Sequence, residues 1–230
     1  MTDNRFRRSP RGFIFDLDGV LVDTVPAHVQ AWGRTFGEFG YPFSAELYEQ
    51  KIDGRPRLEA LRETMTDLDS QRLAEAAEIK NNYFLSNIED GLFNKFESSN
   101  RFVLRWLERG VRMAAASSSV NVKSILAKIG LVDAFDVIVG GDDVAAGKPD
   151  PEAFLTAARA LNLTADECVV FEDAAVGVQA AKRGGFFCIG LHRYGDIARL
   201  AGADLIVKDL DQLDDNAMLS SFGIRASGAM

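Results

Sequence analysis

Short apolar runs recur along the chain, at Gly12–Phe15, Val111–Ala116, Val137–Val139, Cys168–Phe171, Phe187–Leu191 and Leu205–Val207. Runs this short, apolar at successive positions and rich in β-branched and aromatic residues, predict buried strands of a parallel sheet. A helical pattern follows each of them. Helices are predicted at Val122–Ile129, at Pro151–Leu161 with Asp150 as cap and Pro151 in the first position, and at Val176–Arg183. Strand and helix in alternation predict a doubly wound α/β fold, a parallel-sheet Rossmann-like core.

The alternation breaks between residues 26 and 94. Val29, Trp32, Phe36 and Phe39 recur there at helical spacing, as do Leu58 and Leu61, and an Ala/Glu/Arg-rich run follows from Gln71 to Lys80. The expected organisation is a core of residues 1–25 and 95–230 with a small α-helical cap domain, 26–94, inserted after the first strand. No internal repeat or low-complexity tract interrupts it. The basic segment Met1–Arg11 reads as a mobile tail rather than a secretory signal, and the small residues from Ser220 onward as a frayed end.

Composition narrows the function classes. The chain has 230 residues, 47% of them hydrophobic, enough for a real core without metal or disulfide staples. A formal net charge of −8 repels a phosphate backbone and disfavours non-specific nucleic-acid binding. No run approaches the length of a membrane helix, since Asp16 and Asp18 break Gly12–Val22. Cys168 and Cys188 both fall in strand-like runs, which points to buried reduced thiols and a cytoplasmic protein.

The chemistry lies at the carboxyl ends of the strands. Phe13-Ile14-Phe15 ends at Asp16, with Asp18 two residues on; Val111–Ala116 ends at Ser117-Ser118-Ser119; a loop after Val139 leads to Lys148; Cys168–Phe171 ends at Glu172-Asp173. Ligands of open α/β sheets bind beyond these ends, so the four sets should converge on one crevice. Four carboxylates against one lysine repel one another unless a cation joins them, and oxygen-only ligands select Mg²⁺; Asp16, Asp18, Glu172 and Asp173 are the candidate metal ligands. Ser117, the backbone N–H groups leading to the helix at Val122, and Lys148 suit a phosphate. Asp16 is then placed as a nucleophile and Asp18 as the acid and base. Other motifs fail: Gly141 and Gly147-Lys148-Pro149 lack Walker spacing and its hydroxyl residue, two histidines and two distant cysteines give no zinc spacing, and no aromatic and basic residues interleave for nucleic acid.

Phe15-Asp16-Leu17-Asp18-Gly19-Val20 resembles the first motif of the haloacid dehalogenase superfamily of phosphotransferases, Ser117 the second, Lys148 in Gly147-Lys148-Pro149-Asp150-Pro151 the third, and Phe171-Glu172-Asp173 the fourth. The inserted cap resembles that of the branch containing β-phosphoglucomutase and many small phosphatases. Within it, Asp23-Thr24 with His28 and Trp32 is similar to that branch's linker, with Thr24 at the hinge, and its first cap helix. Gly54-Arg55-Pro56-Arg57 resembles the cap loop whose arginine, here Arg57, grips a distal phosphate. Lys80-Asn81 with Tyr83 resembles another cap segment, and Ser117-Ser118-Ser119 with Asn121 the phosphate loop. Two positions depart from the mutase pattern: Asp53 and Val120 stand where it carries lysines.

The resemblance implies a Mg²⁺-dependent enzyme working through an aspartyl phosphate on a small phosphorylated sugar, as a β-phosphoglucomutase or, alternatively, a sugar phosphatase. It implies catalytic Asp16, Asp18, Ser117 and Lys148, and substrate contacts from His28, Trp32, Gly54, Arg57, Lys80, Ser118, Ser119 and Asn121. A monomer is expected, with neither nucleic acid nor membrane as partner. A catalytically idle binding module is the contrasting class, and it would have no use for both a nucleophile and an acid.

Overall fold

The structure, a computed structural model, describes residues 11–53, 55–193, 195, 197–213 and 215. In chain order the elements are β1 (Gly12–Phe15), the two-residue strand β2 (Val22–Asp23), α1 (Val25–Glu38), α2 (Ala45–Leu47), α3 (Arg57–Thr64), α4 (Ser70–Glu89) and the two-residue strand β3 (Asn94–Lys95). Then come α5 (Glu97–Glu108), β4 (Arg112–Ala116), α6 (Val122–Ile129), β5 (Val137–Val139), α7 (Glu152–Ala160), β6 (Cys168–Glu172), α8 (Ala175–Arg183), β7 (Phe187–Leu191) and β8 (Leu205–Val207). The chain divides into two compact units, Met1–Val22 with Lys95–Met230, and Asp23–Asn94. The expected tail and frayed end, and Gly54, lie outside the described residues.

In the first unit six strands pair in the order β5-β4-β1-β6-β7-β8, every pairing parallel, so the class is α/β as expected. The chain leaves β1 to one side through β4 and β5, then returns to its other side through β6. Strand order therefore reverses at β1, the place where open α/β sheets bind ligands. Alternation along β1 divides the core: Phe13 and Phe15 face an aromatic layer with Phe102, Trp106 and Phe171, the Phe15 and Phe171 rings stacking at 4.5 Å. Ile14, on the other face, packs in a cluster with Phe154, Ala157, Ala180 and Ala181.

Several boundaries differ from the sequence-based expectation. Helix α7 starts at Glu152, with Pro151 in the cap position. Asp150, expected as the cap, instead lies one residue outside it, its carboxylate accepting the Glu152 N–H at 3.0 Å. Helix α8 starts one residue early, at Ala175, and β6 runs one residue longer, to Glu172. The 3₁₀ turns Ile197–Leu200 and Leu210–Gln212 are the first helical turns after β7 and β8 among the described residues. No helix among the described residues is long and apolar enough to cross a membrane.

The second unit is helical around Trp32, Phe36, Tyr48, Ile52, Ala60, Leu61, Met65, Leu73, Ala76 and Ala77, with Val29 and Phe39 against that cluster. Leu58 does not join Leu61 in it and is exposed; Ala60 takes that place. Helix α4 does not end near Lys80, where its charged run gives out, but continues to Glu89. Leu73, Ala76, Ala77, Lys80, Phe84, Asn87 and Ile88 form one buried stripe at i, i+3 and i+4 spacing, so Lys80 is a buried mid-helix residue rather than a solvated terminal one.

Candidate active site

Register brings the polar strand ends level. Phe15 lies beside Ala115 of β4 and Phe171 of β6, so Asp16, Ser117 and Glu172 all emerge at one edge of the sheet. The Asp16 N–H continues the ladder to the Phe171 carbonyl at 2.9 Å, and the Ser117 N–H bonds the Val139 carbonyl at 3.0 Å. After Asp16 the chain turns back on itself: Leu21 N–H bonds the Leu17 carbonyl at 2.9 Å and Gly19 N–H the Val22 carbonyl at 2.8 Å, while Leu17, Val20 and Leu21 are buried. Only glycine fits at 19, where φ is +74° and a Cβ would lie 1.8 Å from Asp173 Oδ2. The turn of the first motif thus forms the seat of the Asp173 carboxylate.

Lys148 ties two strands together, its ammonium donating to Asp16 Oδ1 and Glu172 Oε1 at 2.5 Å each. Its Nζ lies 4.8 Å from the centroid of the Phe154 ring, an apolar and cation–π wall that helps fix it. The other Glu172 oxygen accepts the Ala174 N–H at 2.6 Å, just before α8. Helix α8 clears this carboxylate because residue 177 is glycine, where a Cβ would meet Glu172 Oε1 at 1.6 Å. Gly177→Ala should therefore displace the Glu172–Lys148 pair, lowering stability by about 1–3 kcal/mol and turnover at least about tenfold on every substrate. Thermal melting and kcat check this, and wild-type values would show that Glu172 does not depend on that gap.

Burial is the main cause that pushes the Asp16 carboxyl up from 3.8 to about 7; Glu172 and Asp18 add to it and Lys148 opposes it. Burial likewise raises Asp173 well above the carboxylate range, with Glu172 and Asp16 adding to it. For Lys148 burial acts downward, but Asp16 and Glu172 outweigh it and hold the ammonium charged. Oxygens of Asp16, Glu172 and Asp173 lie within 4.8 Å of one another. Three crowded, desolvated carboxylates, two of them driven toward protonation, form a hard-oxygen donor set short of positive charge, which fits a divalent cation such as Mg²⁺. The Asp18 carboxylate is outside this trio, unlike in the four-ligand set expected from sequence. Glu172 belongs to it but already serves Lys148 and Ala174.

The serine loop is braced by its own hydroxyls. Buried Ser117 accepts the Ser119 N–H at 3.0 Å through Oγ, and Ser119 Oγ accepts the Asn121 N–H at 3.1 Å, at the start of α6. As the acceptor in that bond, the Ser117 hydroxyl keeps its own proton to donate. Ser118 and Val120 are exposed.

In the helical unit, Lys80, only 4% exposed, bonds His28 Nδ1 at 2.7 Å. Desolvation, then Lys80 and Arg57, hold His28 well below its ordinary pKa. The ring is therefore neutral and accepts the ammonium proton at Nδ1, which leaves Nε2 as a donor. Its ring stacks on Phe84 at 4.2 Å, and Lys80 sits over Phe84 and Trp32 at 4.7 and 5.3 Å. Trp32 itself is buried in this unit's core. Arg57, at the start of α3, donates to the Ala77 carbonyl at 2.8 Å and has no carboxylate partner among the described residues. Thr24 is buried at the N-cap of α1 without a side-chain capping bond, while Asp23 accepts the Val25 N–H at 3.0 Å. Sequence reasoning passed over Gly177 and Phe154; a lone glycine inside a predicted helix was the available signal for the first.

An open parallel sheet with a buried lysine and carboxylate cluster at its reversal point, and a helical unit inserted after the first strand, defines an α/β enzyme core. The chain belongs to the haloacid dehalogenase-like hydrolases, the family matched by residues 10–185. It is 32% identical over 201 residues to the validoxylamine A 7'-phosphate phosphatase of Streptomyces hygroscopicus subsp. limoneus, covering 87% of this chain and 94% of that one. It is 31% identical over 214 residues to the β-phosphoglucomutase of Bacillus subtilis, covering 88% and 91%. The crystal structure of a β-phosphoglucomutase from Clostridium difficile superposes with a TM-score of 0.82 at 27% identity, covering 93% of this chain and 97% of that one.

Proposed function

We propose that this enzyme transfers the phosphoryl group of a small sugar phosphate through an aspartyl phosphate on Asp16, and that its reaction is that of a β-phosphoglucomutase. The observation that carries the chemistry is the buried contact of Lys148 with Asp16 and Glu172, beside Asp173 at the sheet's reversal point. Asp16 attacks phosphorus through the carboxylate oxygen not held by Lys148; the ester P–O bond breaks, and the leaving oxygen takes a proton from Asp18. Ser117 and Lys148 hold the phosphoryl oxygens. Asp18, now a carboxylate, then takes the proton of the incoming hydroxyl as that oxygen attacks phosphorus and Asp16 is released. Mg²⁺ held by Asp16 and Asp173, with Glu172 behind them, would neutralise charge as anion approaches anion. The free, buried thiols of Cys168 and Cys188, pushed up to about 12 mainly by burial, support placing the protein in the cytoplasm.

A mutase must hold a second phosphate while the first reacts, and the helical unit offers for it the cations Arg57 and Lys80 and the neutral Nε2 donor of His28. The relative named as a phosphatase favours the second reading, hydrolysis of a sugar phosphate, as do Asp53 and Val120 where lysines would strengthen a second anion site. The deciding experiment offers β-glucose 1-phosphate with Mg²⁺ and a trace of the 1,6-bisphosphate, and measures glucose 6-phosphate against free phosphate. Arg57→Ala should then lower isomerisation at least about tenfold while costing acetyl phosphate hydrolysis about threefold, since its planar fork grips the remote phosphate. If wild type yields only free phosphate, or Arg57→Ala harms both reactions equally, the phosphatase reading stands instead.

A further inference from the structure

Arg193 follows β7, far in sequence from the first motif, yet its side chain is 7% exposed and directs its donors largely at that motif's turn. Nε donates to the Gly19 carbonyl at 3.0 Å and Nη2 to the Val20 carbonyl at 3.3 Å. Nη2 also donates to Ser99 Oγ at 2.7 Å, and the Ser99 hydroxyl in turn donates to the Val20 carbonyl at 2.6 Å. Nη1 reaches Asp209 Oδ2 at 3.1 Å, an oxygen that also accepts the Ser98 hydroxyl at 2.8 Å. The guanidinium carbon lies 3.8 Å from the centroid of the Phe96 ring.

A charged side chain this buried is costly unless its donors are met, and here carbonyls of the turn that carries Asp18 meet them. Gly19 is held from both sides: its N–H bonds Val22 within the turn, and its carbonyl is clamped by a group fixed from α5 and from the segment after β8. Asp18 immediately precedes this clamped residue, and Asp173 rests against it. The planar fork reaches two successive carbonyls at once, which an ammonium cannot do in the same geometry.

We propose that Arg193 is a positioning residue for proton transfer by Asp18: it fixes the Gly19–Val20 carbonyls, and through them the turn that carries the acid, without touching substrate. The proposal rests on the reading of Asp18 as the acid and base of the phosphoryl transfer. Its signature is a dependence on the leaving group, because a misplaced acid harms esters whose leaving oxygen needs a proton and spares those whose leaving group departs as an anion.

The test uses the full chain with Mg²⁺ and two probes, phenyl phosphate and 4-nitrophenyl phosphate, and compares wild type with Arg193→Lys, Asp18→Asn and the double variant. Arg193→Lys should lower kcat/KM, which reports the phosphorylation of Asp16 alone, about tenfold or more on phenyl phosphate and about threefold or less on 4-nitrophenyl phosphate. The double variant should be no worse than Asp18→Asn alone, since both act on one proton transfer. Equal losses on the two probes, or losses that multiply in the double variant, overturn the proposal and leave Arg193 a structural residue. If Asp18→Asn itself treats both probes alike, the acid assignment falls first and the proposal with it; if only Arg193→Lys does so, the acid assignment survives. Should Arg193→Lys fail to fold by circular dichroism, Ser99→Ala, which removes one of the two donors to the Val20 carbonyl, should show the same split at about threefold, and its absence would overturn the proposal.

Discussion

Replacing Asp16 with asparagine is expected to reduce turnover by roughly 10⁴-fold or more, because the amide can neither attack phosphorus nor form the acyl phosphate. Removing Mg²⁺ from the wild type with a chelator should have a comparable effect. Full activity in excess chelator, or a substantially active Asp16→Asn enzyme, would remove Asp16 from the nucleophile's role. A folding control accompanies the experiment. The native pKa of Asp16, about 7, lies above its unfolded value near 3.8, so between those values the folded state binds the extra proton and stability falls as pH rises. At pH 8 the buried carboxylate is ionised and costs the metal-free fold stability that an uncharged isostere does not. Metal-free Asp16→Asn should therefore melt no lower than metal-free wild type at pH 8, and a much lower melting temperature would mean that its Lys148 contact outweighs the cost of burial.

How much of this was legible in the sequence differs between the two units. The strands Gly12–Phe15, Val137–Val139, Phe187–Leu191 and Leu205–Val207 were readable to the residue as unbroken apolar runs, the mark of a parallel strand covered on both faces, which β1 and β7 are, whereas the edge strands β5 and β8 are buried only at Val139 and Val207. The polar residues ending those runs could be placed along one sheet edge, since parallel strands point the same way. Local pattern could not say which contact each makes: Glu172 reads as a metal ligand or a cap, and only the fold shows one of its oxygens on Lys148 and the other on the backbone of Ala174. The charge of Lys80 predicts solvent, whereas its ammonium is buried against His28 and Trp32 of α1, distant in sequence, and against Phe84 one turn on in its own helix. Arg193 gave no signal at all. Its partners in the first motif's turn are carbonyls more than 170 residues away, and a backbone carbonyl has no identity in a sequence.

Asp18→Asn is expected to slow the phosphorylation of Asp16 by a sugar phosphate about 10²–10⁴-fold, or roughly 3–5 kcal/mol in the barrier, the usual worth of a positioned acid. The structure separates the two aspartates of the first motif. Asp16 is buried on Lys148 and belongs to the carboxylate trio, whereas Asp18 is partly exposed, outside the trio, and held in a turn that bridges to Val22. A group so placed can give a proton and take one back while Lys148 keeps its contacts with Asp16 and Glu172. A sugar hydroxylate is a poor leaving group and needs that proton as the P–O bond breaks; 4-nitrophenolate and acetate depart without it. The loss on 4-nitrophenyl phosphate should therefore be at least about tenfold smaller than on the sugar phosphate. Dephosphorylation should also slow, because the incoming hydroxyl loses the base that accepts its proton, so the phosphorylated enzyme should outlive the wild-type species by a similar factor in rapid-quench measurements. Equal losses on activated and unactivated esters, with an unchanged lifetime of the phosphoenzyme, would place the proton transfer on another group and leave Asp18 a purely structural part of the turn.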